Sequence, residues 1–214
     1  MCSQKNKILQ CYEILRSEYG KPCEQWNLWC KRPKSIKEKE EVIIGSILTQ
    51  QANWRNVEKA ISNLKNAGKC SLAGIYSLSG KNKNKLAELI KPSGFFNQKT
   101  EYLLNVAKFF CKRRGGIKKV ELLPLDNLRK DLLGVKGIGM ETADSILLYA
   151  LEKEIFVIDE YTKRFVEKNN LAEKDTYNYL QKLFMDSLPC DYALYQDYHA
   201  LIVVDGKNIG LQKG

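Results

Sequence analysis

Between Leu132 and Thr142 the chain reads Leu-Leu-Gly-Val-Lys-Gly-Ile-Gly-Met-Glu-Thr, two helix-forming stretches joined by a turn that carries Gly137 and Gly139. Without a Cβ, both positions are free to take positive φ and to let the backbone come close to a partner. The amides of Gly137, Gly139 and the first turn of the next helix lack intrahelical acceptors, and with the helix dipole they form a site for an anion such as phosphate. The segment has no third glycine at dinucleotide spacing, no preceding strand and no Gly-Lys-Ser/Thr ending, so Rossmann and P-loop readings fail. What survives is a helix-hairpin-helix that grips a nucleic-acid backbone, with Lys136 in the turn directed at phosphate.

Twenty residues after Gly139 stands Asp159, directly after the apolar run Phe156-Val-Ile158. A carboxylate at a helix start is commonly an N-cap and nothing more. One helix beyond a phosphate-gripping turn, the same carboxylate can face the sugar of a bound nucleotide. On the residues alone both readings stay open.

The rest of the chemistry is bounded by composition. The 214 residues carry 35 Lys+Arg against 25 Asp+Glu, a net charge of +10, which favours polyanionic partners and nucleic acid first among them. His199 is the sole histidine, so a conventional Ser-His-Asp triad or a His-rich metal site is not expected. The seven cysteines, at 2, 11, 23, 30, 70, 111 and 190, form no C-x-x-C and no zinc-type cluster, and they read as free thiols of a reducing compartment. No apolar run approaches a membrane span, and Met-Cys-Ser-Gln-Lys-Asn-Lys at the start leads into an amphipathic stretch rather than a signal peptide. The expected location is cytoplasmic, nucleoid-associated in a prokaryote, with no membrane partner.

The elements that must hold these groups are helical. Ile8, Tyr12, Leu15 and Tyr19 fall on one helical stripe, and helices are expected over 38–49, 54–67, 84–90, 98–110, 124–133, 141–151, 159–169, 174–187 and 193–204. Only Ile155-Phe-Val-Ile158 reads as extended, and one short strand makes no sheet. The expected class is all-α, roughly ten short helices with no solenoid period.

At four separated segments the sequence resembles the endonuclease III group of DNA glycosylases, the helix-hairpin-helix-Gly/Pro-Asp superfamily. These are the hairpin Leu-x-Gly-Val-Lys-Gly-Ile-Gly-x-x-Thr-Ala, the Val-Ile-Asp159 segment, Ser46-Ile-Leu-Thr-Gln-Gln51-Ala-Asn-Trp54 and Ser93-Gly-Phe-Phe-Asn-Gln-Lys99. The resemblance implies a two-lobed helical fold with the active-site cleft between the lobes. One lobe would be a six-helix barrel-like domain over 38–152 with the hairpin at about 126–151, the other would combine 1–37 with 153–214. It also implies double-stranded DNA containing a damaged base as partner, a monomeric enzyme, Gln51 as the residue replacing the flipped base, and DNA contacts from Lys136, Gly137, Gly139, Glu141, Thr142 and Lys99. Trp26, Trp29, Trp54, Phe95 and Phe96 are candidates for stacking on the flipped base, and each is equally readable as core.

Two departures refine the expectation. Bifunctional members of the family carry a Schiff-base lysine where this chain has Glu141, and a carboxylate cannot form an imine. Glu141 is also simply a favourable first-turn residue. Endonuclease III closes with four cysteines that hold an iron–sulfur cluster, whereas no cysteine follows Cys190 here, so no such cluster and no other cofactor are expected. The chain thus looks like the monofunctional, cluster-free branch that includes 3-methyladenine DNA glycosylases. N-glycosidic cleavage passes through an oxocarbenium-like sugar, which the charge of Asp159 would stabilise while orienting the attacking water. The alternatives are a bifunctional glycosylase/lyase acting on oxidised or mismatched bases, a non-catalytic hairpin DNA-binding module, and a helical interaction protein.

Overall fold

A computed structural model describes residues 2–113 and 115–211. Among them the chain forms thirteen α-helices and no β-strand, so the fold is all-α. In order they are α1 (Cys2–Tyr19), α2 (Trp26–Trp29), α3 (Ile36–Leu48), α4 (Trp54–Asn66), α5 (Leu72–Tyr76), α6 (Lys83–Ile90), α7 (Phe96–Lys108), α8 (Ile117–Val120), α9 (Leu125–Leu133), α10 (Met140–Ser145), α11 (Glu160–Lys168), α12 (Tyr177–Ser187) and α13 (Tyr192–Leu211). The chain divides into two compact units, one of Pro33–Leu151 and one that joins Met1–Arg32 to Glu152–Gly214.

The Pro33–Leu151 unit is organised on α3. Its start is set by a reciprocal cap: the Ser35 side chain accepts from the Glu38 amide, and Glu38 accepts from the Ser35 amide at 2.8 Å. From Val42 to Leu48 every residue is buried, so this helix is apolar all round and sits at the unit's centre. It packs on a π-helical turn, Ile146–Ala150, that continues α10 and is itself wholly buried. Asn53 caps α4 by accepting from the Arg55 amide, and Ser71 caps α5 through the Gly74 amide. The short helices α5 and α8 carry too few turns to show a periodic stripe, and the sequence reading passes over both, as it does over α2.

In the other unit, α13 is the central helix. Tyr195, Tyr198, Leu201 and Ile202 are almost fully enclosed, and the Tyr198 hydroxyl donates to the Ile8 carbonyl at 2.8 Å. Asp197 receives Arg32 through both guanidinium branches, at 3.0 and 3.2 Å, and Arg16 at 3.4 Å, which ties the two ends of the chain together. Phe156 stacks on Phe184 at 4.4 Å, and Gln181 donates to the Phe156 carbonyl at 2.7 Å, so the extended segment before Asp159 is held without a sheet. The last helix, expected over 193–204, runs on through Asp205-Gly206 to Leu211. A Cβ on Gly206 would stand 2.5 Å from Cδ1 of Tyr161, so this glycine serves the close approach of α11 rather than the end of α13.

Candidate active site

The hairpin lies between α9 and α10. Val135 and Ile138 point inward and are buried, while Lys136, Gly139 and Met140 between and after them are exposed. Gly137 has φ +100, and a Cβ there would meet Cδ1 of Tyr102 at 2.1 Å, so both backbone conformation and packing require glycine. Gly139 differs from expectation. Its φ is −89 with ψ −178, extended backbone open to any residue, and nothing lies within 4 Å of the Cβ position. Its contribution is therefore bare space beside the start of α10 rather than an unusual backbone angle.

Polar braces that have no local sequence signature fix this turn. Gln50 Nε2 donates to the Gly137 carbonyl and to Thr142 Oγ1, both at 3.0 Å, and Asn105 Nδ2 donates to the Lys136 carbonyl at 3.2 Å. Beneath, Arg129 clamps the buried Asp144 with Nε to Oδ1 at 2.7 Å and Nη2 to Oδ2 at 2.9 Å, joining α9 to α10. The carbonyl side of the turn is thus occupied. The amides of Gly137 and Gly139 have no backbone acceptor among the described residues, as an anion site requires.

Asp159 caps α11. Its Oδ1 accepts from the Thr162 amide at 2.7 Å and from the Thr162 hydroxyl at 2.9 Å, and Oδ2 lies 3.4 Å from Nε2 of His199 on α13. Burial works against the charge of this carboxylate, but His199 and the Thr162 donors together outweigh it and hold the carboxyl below its ordinary range. The result is a largely enclosed anion that stays ionised. The cap reading and the site reading are therefore compatible, with one oxygen used for each.

The remaining sequence-predicted residues separate. Gln51 is exposed with φ 48, and Phe95, with φ 44, is 61% exposed; both sit on turns in left-handed conformations that cost energy for a non-glycine residue. Glu141 is exposed in the first turn of α10. Trp54 opens α4 and Phe96 opens α7, both half-buried, with the Lys91 ammonium 5.8 Å from the centre of the Phe96 ring. Trp26 and Trp29 belong to the other unit, where they are buried edge-to-face at 6.1 Å, Trp26 also meeting the His199 ring at 6.1 Å. The five aromatics thus do not form one cluster within either unit, and Trp29 is a core residue.

Two assignments are corrected. Lys99 is 2% exposed and donates to the carbonyls of Leu48 at 2.8 Å and Ser93 at 2.7 Å, so its ammonium closes the end of α3 and is not offered to DNA. Thr142 is buried, its hydroxyl engaged by Gln50, and it braces the hairpin from within. His199 and Gln50 are the residues that sequence reasoning missed. The only available signals were that His199 is the chain's sole imidazole on an otherwise apolar face, and that Gln50 adjoins Gln51.

Comparison with known proteins decides the family. Residues 44–190 match the model of the HhH-GPD superfamily base excision DNA repair protein, and a Methanocaldococcus jannaschii protein provisionally named a DNA repair glycosylase is 41% identical over 199 residues, 92% of this chain and 85% of the relative. The chain belongs to the HhH-GPD superfamily. As a base-excision DNA glycosylase of that superfamily, it is also similar to the H. pylori 3-methyladenine DNA glycosylase MagIII bound to 1,N6-ethenoadenine. That similarity has a TM-score of 0.74 at 28% identity and covers 92% of this chain and 97% of MagIII. Endonuclease III of Buchnera aphidicola is 25% identical over 169 residues, 79% of this chain and 73% of the relative.

Among the described residues no three His, Cys, Asp or Glu side chains gather as they would around a metal ion. No described helix is long and apolar enough to cross a membrane.

Proposed function

We propose that this glycosylase is monofunctional and removes alkylated purines from double-stranded DNA, leaving an abasic site, and that it works as a monomer without an iron–sulfur cluster. The observation that carries this reading is the state of Asp159: one oxygen is anchored by Thr162, and the charge is retained despite burial. An anion so held stabilises the oxocarbenium-like sugar as the bond to the base breaks. An alkylated purine already carries positive charge and leaves without strong acid assistance, so one carboxylate is sufficient. Glu141 in place of an imine-forming lysine and the 28% identity to a 3-methyladenine glycosylase support the same branch.

The rest of the machinery follows from exposure. The outward amides of Gly137 and Gly139, with Lys136 beside them, take a phosphate of the damaged strand. Gln51 fills the stack vacated by the flipped base, and Phe95, exposed on its strained turn, wedges between neighbouring bases. The strain at both tips fixes where these side chains project.

Single-turnover base release tests the proposal, using duplexes that each carry one of 3-methyladenine, 7-methylguanine, 1,N6-ethenoadenine, hypoxanthine, uracil or 8-oxoguanine. Alkylated purines should be released fastest. Preference for 8-oxoguanine or uracil would overturn the substrate class, and binding without release from any duplex would leave a non-catalytic module.

A further inference from the structure

Asp159 has its two oxygens in different situations. A carboxylate oxygen has about two lone-pair positions, and Oδ1 has both filled, by the amide and the hydroxyl of Thr162. Oδ2 is the oxygen left to meet a sugar or a water, and the polar group that approaches it is the Nε2 of His199 at 3.4 Å. The imidazole cannot easily turn away. It is 4% exposed and stands edge-to-face with Trp26 at 6.1 Å and with Phe156 at 6.3 Å, so rings from α2 and from the segment before Asp159 bracket it.

We infer that His199 is a positioning residue for Asp159, setting the direction and the effective charge of the one carboxylate oxygen that Thr162 leaves open. The inference rests on Asp159 being the catalytic carboxylate. With a neutral imidazole presenting Nε2–H, Oδ2 keeps one lone pair bound and one aimed outward, and its negative charge is undiminished. The charge interaction of His199 with Asp159 also helps keep the carboxyl ionised, against the burial that opposes its charge. His199 therefore acts on base release through Oδ2.

Among the described residues, charged groups act on this pair from α13 and from the chain before α2. From α11 comes Asp159 itself. On α13 the half-buried Lys207 ammonium feels the Asp159 charge and donates to Gln25 at 3.0 Å, and Glu24 acts on Lys207 from the chain before α2. Trp26 and Phe156 face the imidazole with uncharged rings. Burial holds the Tyr195 and Tyr198 hydroxyls protonated well beyond neutrality, so they contribute no charge near pH 7.

Single-turnover base release between pH 4.5 and 9, with DNA binding measured beside it, tests this on wild type, H199Q, H199F and D159N. Gln places an amide N–H close to the position of Nε2 but never becomes a cation. H199Q should keep the plateau rate within about threefold, while its acid limb moves to higher pH by about half a unit or more, because the charge interaction of His199 that helps hold the Asp159 carboxyl low is gone. H199F retains ring bulk but removes the donor, and its plateau should fall at least about tenfold with DNA affinity unchanged.

Wild-type rate and pH profile in both His199 variants, with D159N inactive, would overturn the role of His199 and leave Asp159 standing. An active D159N would instead remove the underlying assignment. Should H199F fail to fold, the H199Q profile decides. The chain's sole imidazole also gives one Cε1–H nuclear magnetic resonance signal, which should shift between wild type and D159N; Asn is as good an N-cap as Asp, so that variant folds. An unmoved signal would also overturn the pairing.

Discussion

Gly137 presses its backbone against the ring of Tyr102 so closely that a Cβ there would stand 2.1 Å from Cδ1, whereas the Cβ position of Gly139 has no atom within 4 Å. The two glycines of one turn are therefore needed for different reasons. Gly137→Ala should cost on the order of 2–4 kcal/mol in urea unfolding, combining a positive-φ penalty with overpacking. Gly139→Ala should leave stability within about 0.5 kcal/mol and weaken DNA binding, because its methyl group occupies the space a phosphate needs. Equal stability loss in both, or wild-type DNA affinity in Gly139→Ala, would contradict this division.

Asp159→Asn should retain the cap and DNA binding but lose about 10²–10³-fold in base release, the scale of removing one charge-stabilising group from a transition state. The same variant has a stability signature. Because the native carboxyl is held below its ordinary range, its contribution to stability is present above the unfolded value near pH 4 and is lost as pH falls through the native one. Asn has nothing to protonate, so acid unfolding curves of wild type and variant should differ in slope below about pH 4.

Lys99 predicts the opposite limb. Burial pulls its ammonium down to about 8 from 10.5, so between these values the unfolded chain holds a proton that the native chain has released. Stability from this group therefore rises with pH from 8 toward 10.5, by on the order of 3 kcal/mol. Lys99→Met should flatten that rise in urea titrations. Comparison with wild type is needed because Cys70, its thiol pushed up to about 11 by burial, loses stability as pH climbs and is present in both proteins.

Borohydride should trap no covalent adduct on damaged duplex, and strands should break only after alkali. Glu141 offers no amine, and Lys163 is paired with Glu160 at 3.0 Å. If an adduct does form, Lys207 is the first variant to make, since burial lowers its pKa and the largest charge interaction on it is with Asp159.

Purified protein should contain less than about 0.1 iron atom per chain and show no absorbance near the visible range of iron–sulfur clusters. Close to four irons per chain would contradict the proposed absence of a cluster.

The amino-acid sequence by itself determined the helical class, the family, the hairpin and the place of Asp159. Each of these is encoded over a short stretch: apolar residues at helical spacing, glycines beside a helix start, a carboxylate one residue before a helix. Tertiary structure decided what each group does. Lys99 reads as a DNA contact on a turn in the one-dimensional pattern, yet the fold buries it, because the Leu48 carbonyl at the end of α3 and the Ser93 carbonyl in the turn before α7 both take its ammonium as donor. The last helix extends past the expected 204, and at Gly206 the missing Cβ leaves room for the Tyr161 ring, a contact that only the packing of α11 on α13 reveals. Arg129 with Asp144 and Gln50 with Gly137 are 15 and 87 residues apart in the chain, and His199 and Asp159 come from different helices. Pairings at such separations leave no periodic trace in a chain, because side-chain partners are chosen by the packing of whole helices and not by neighbours in sequence.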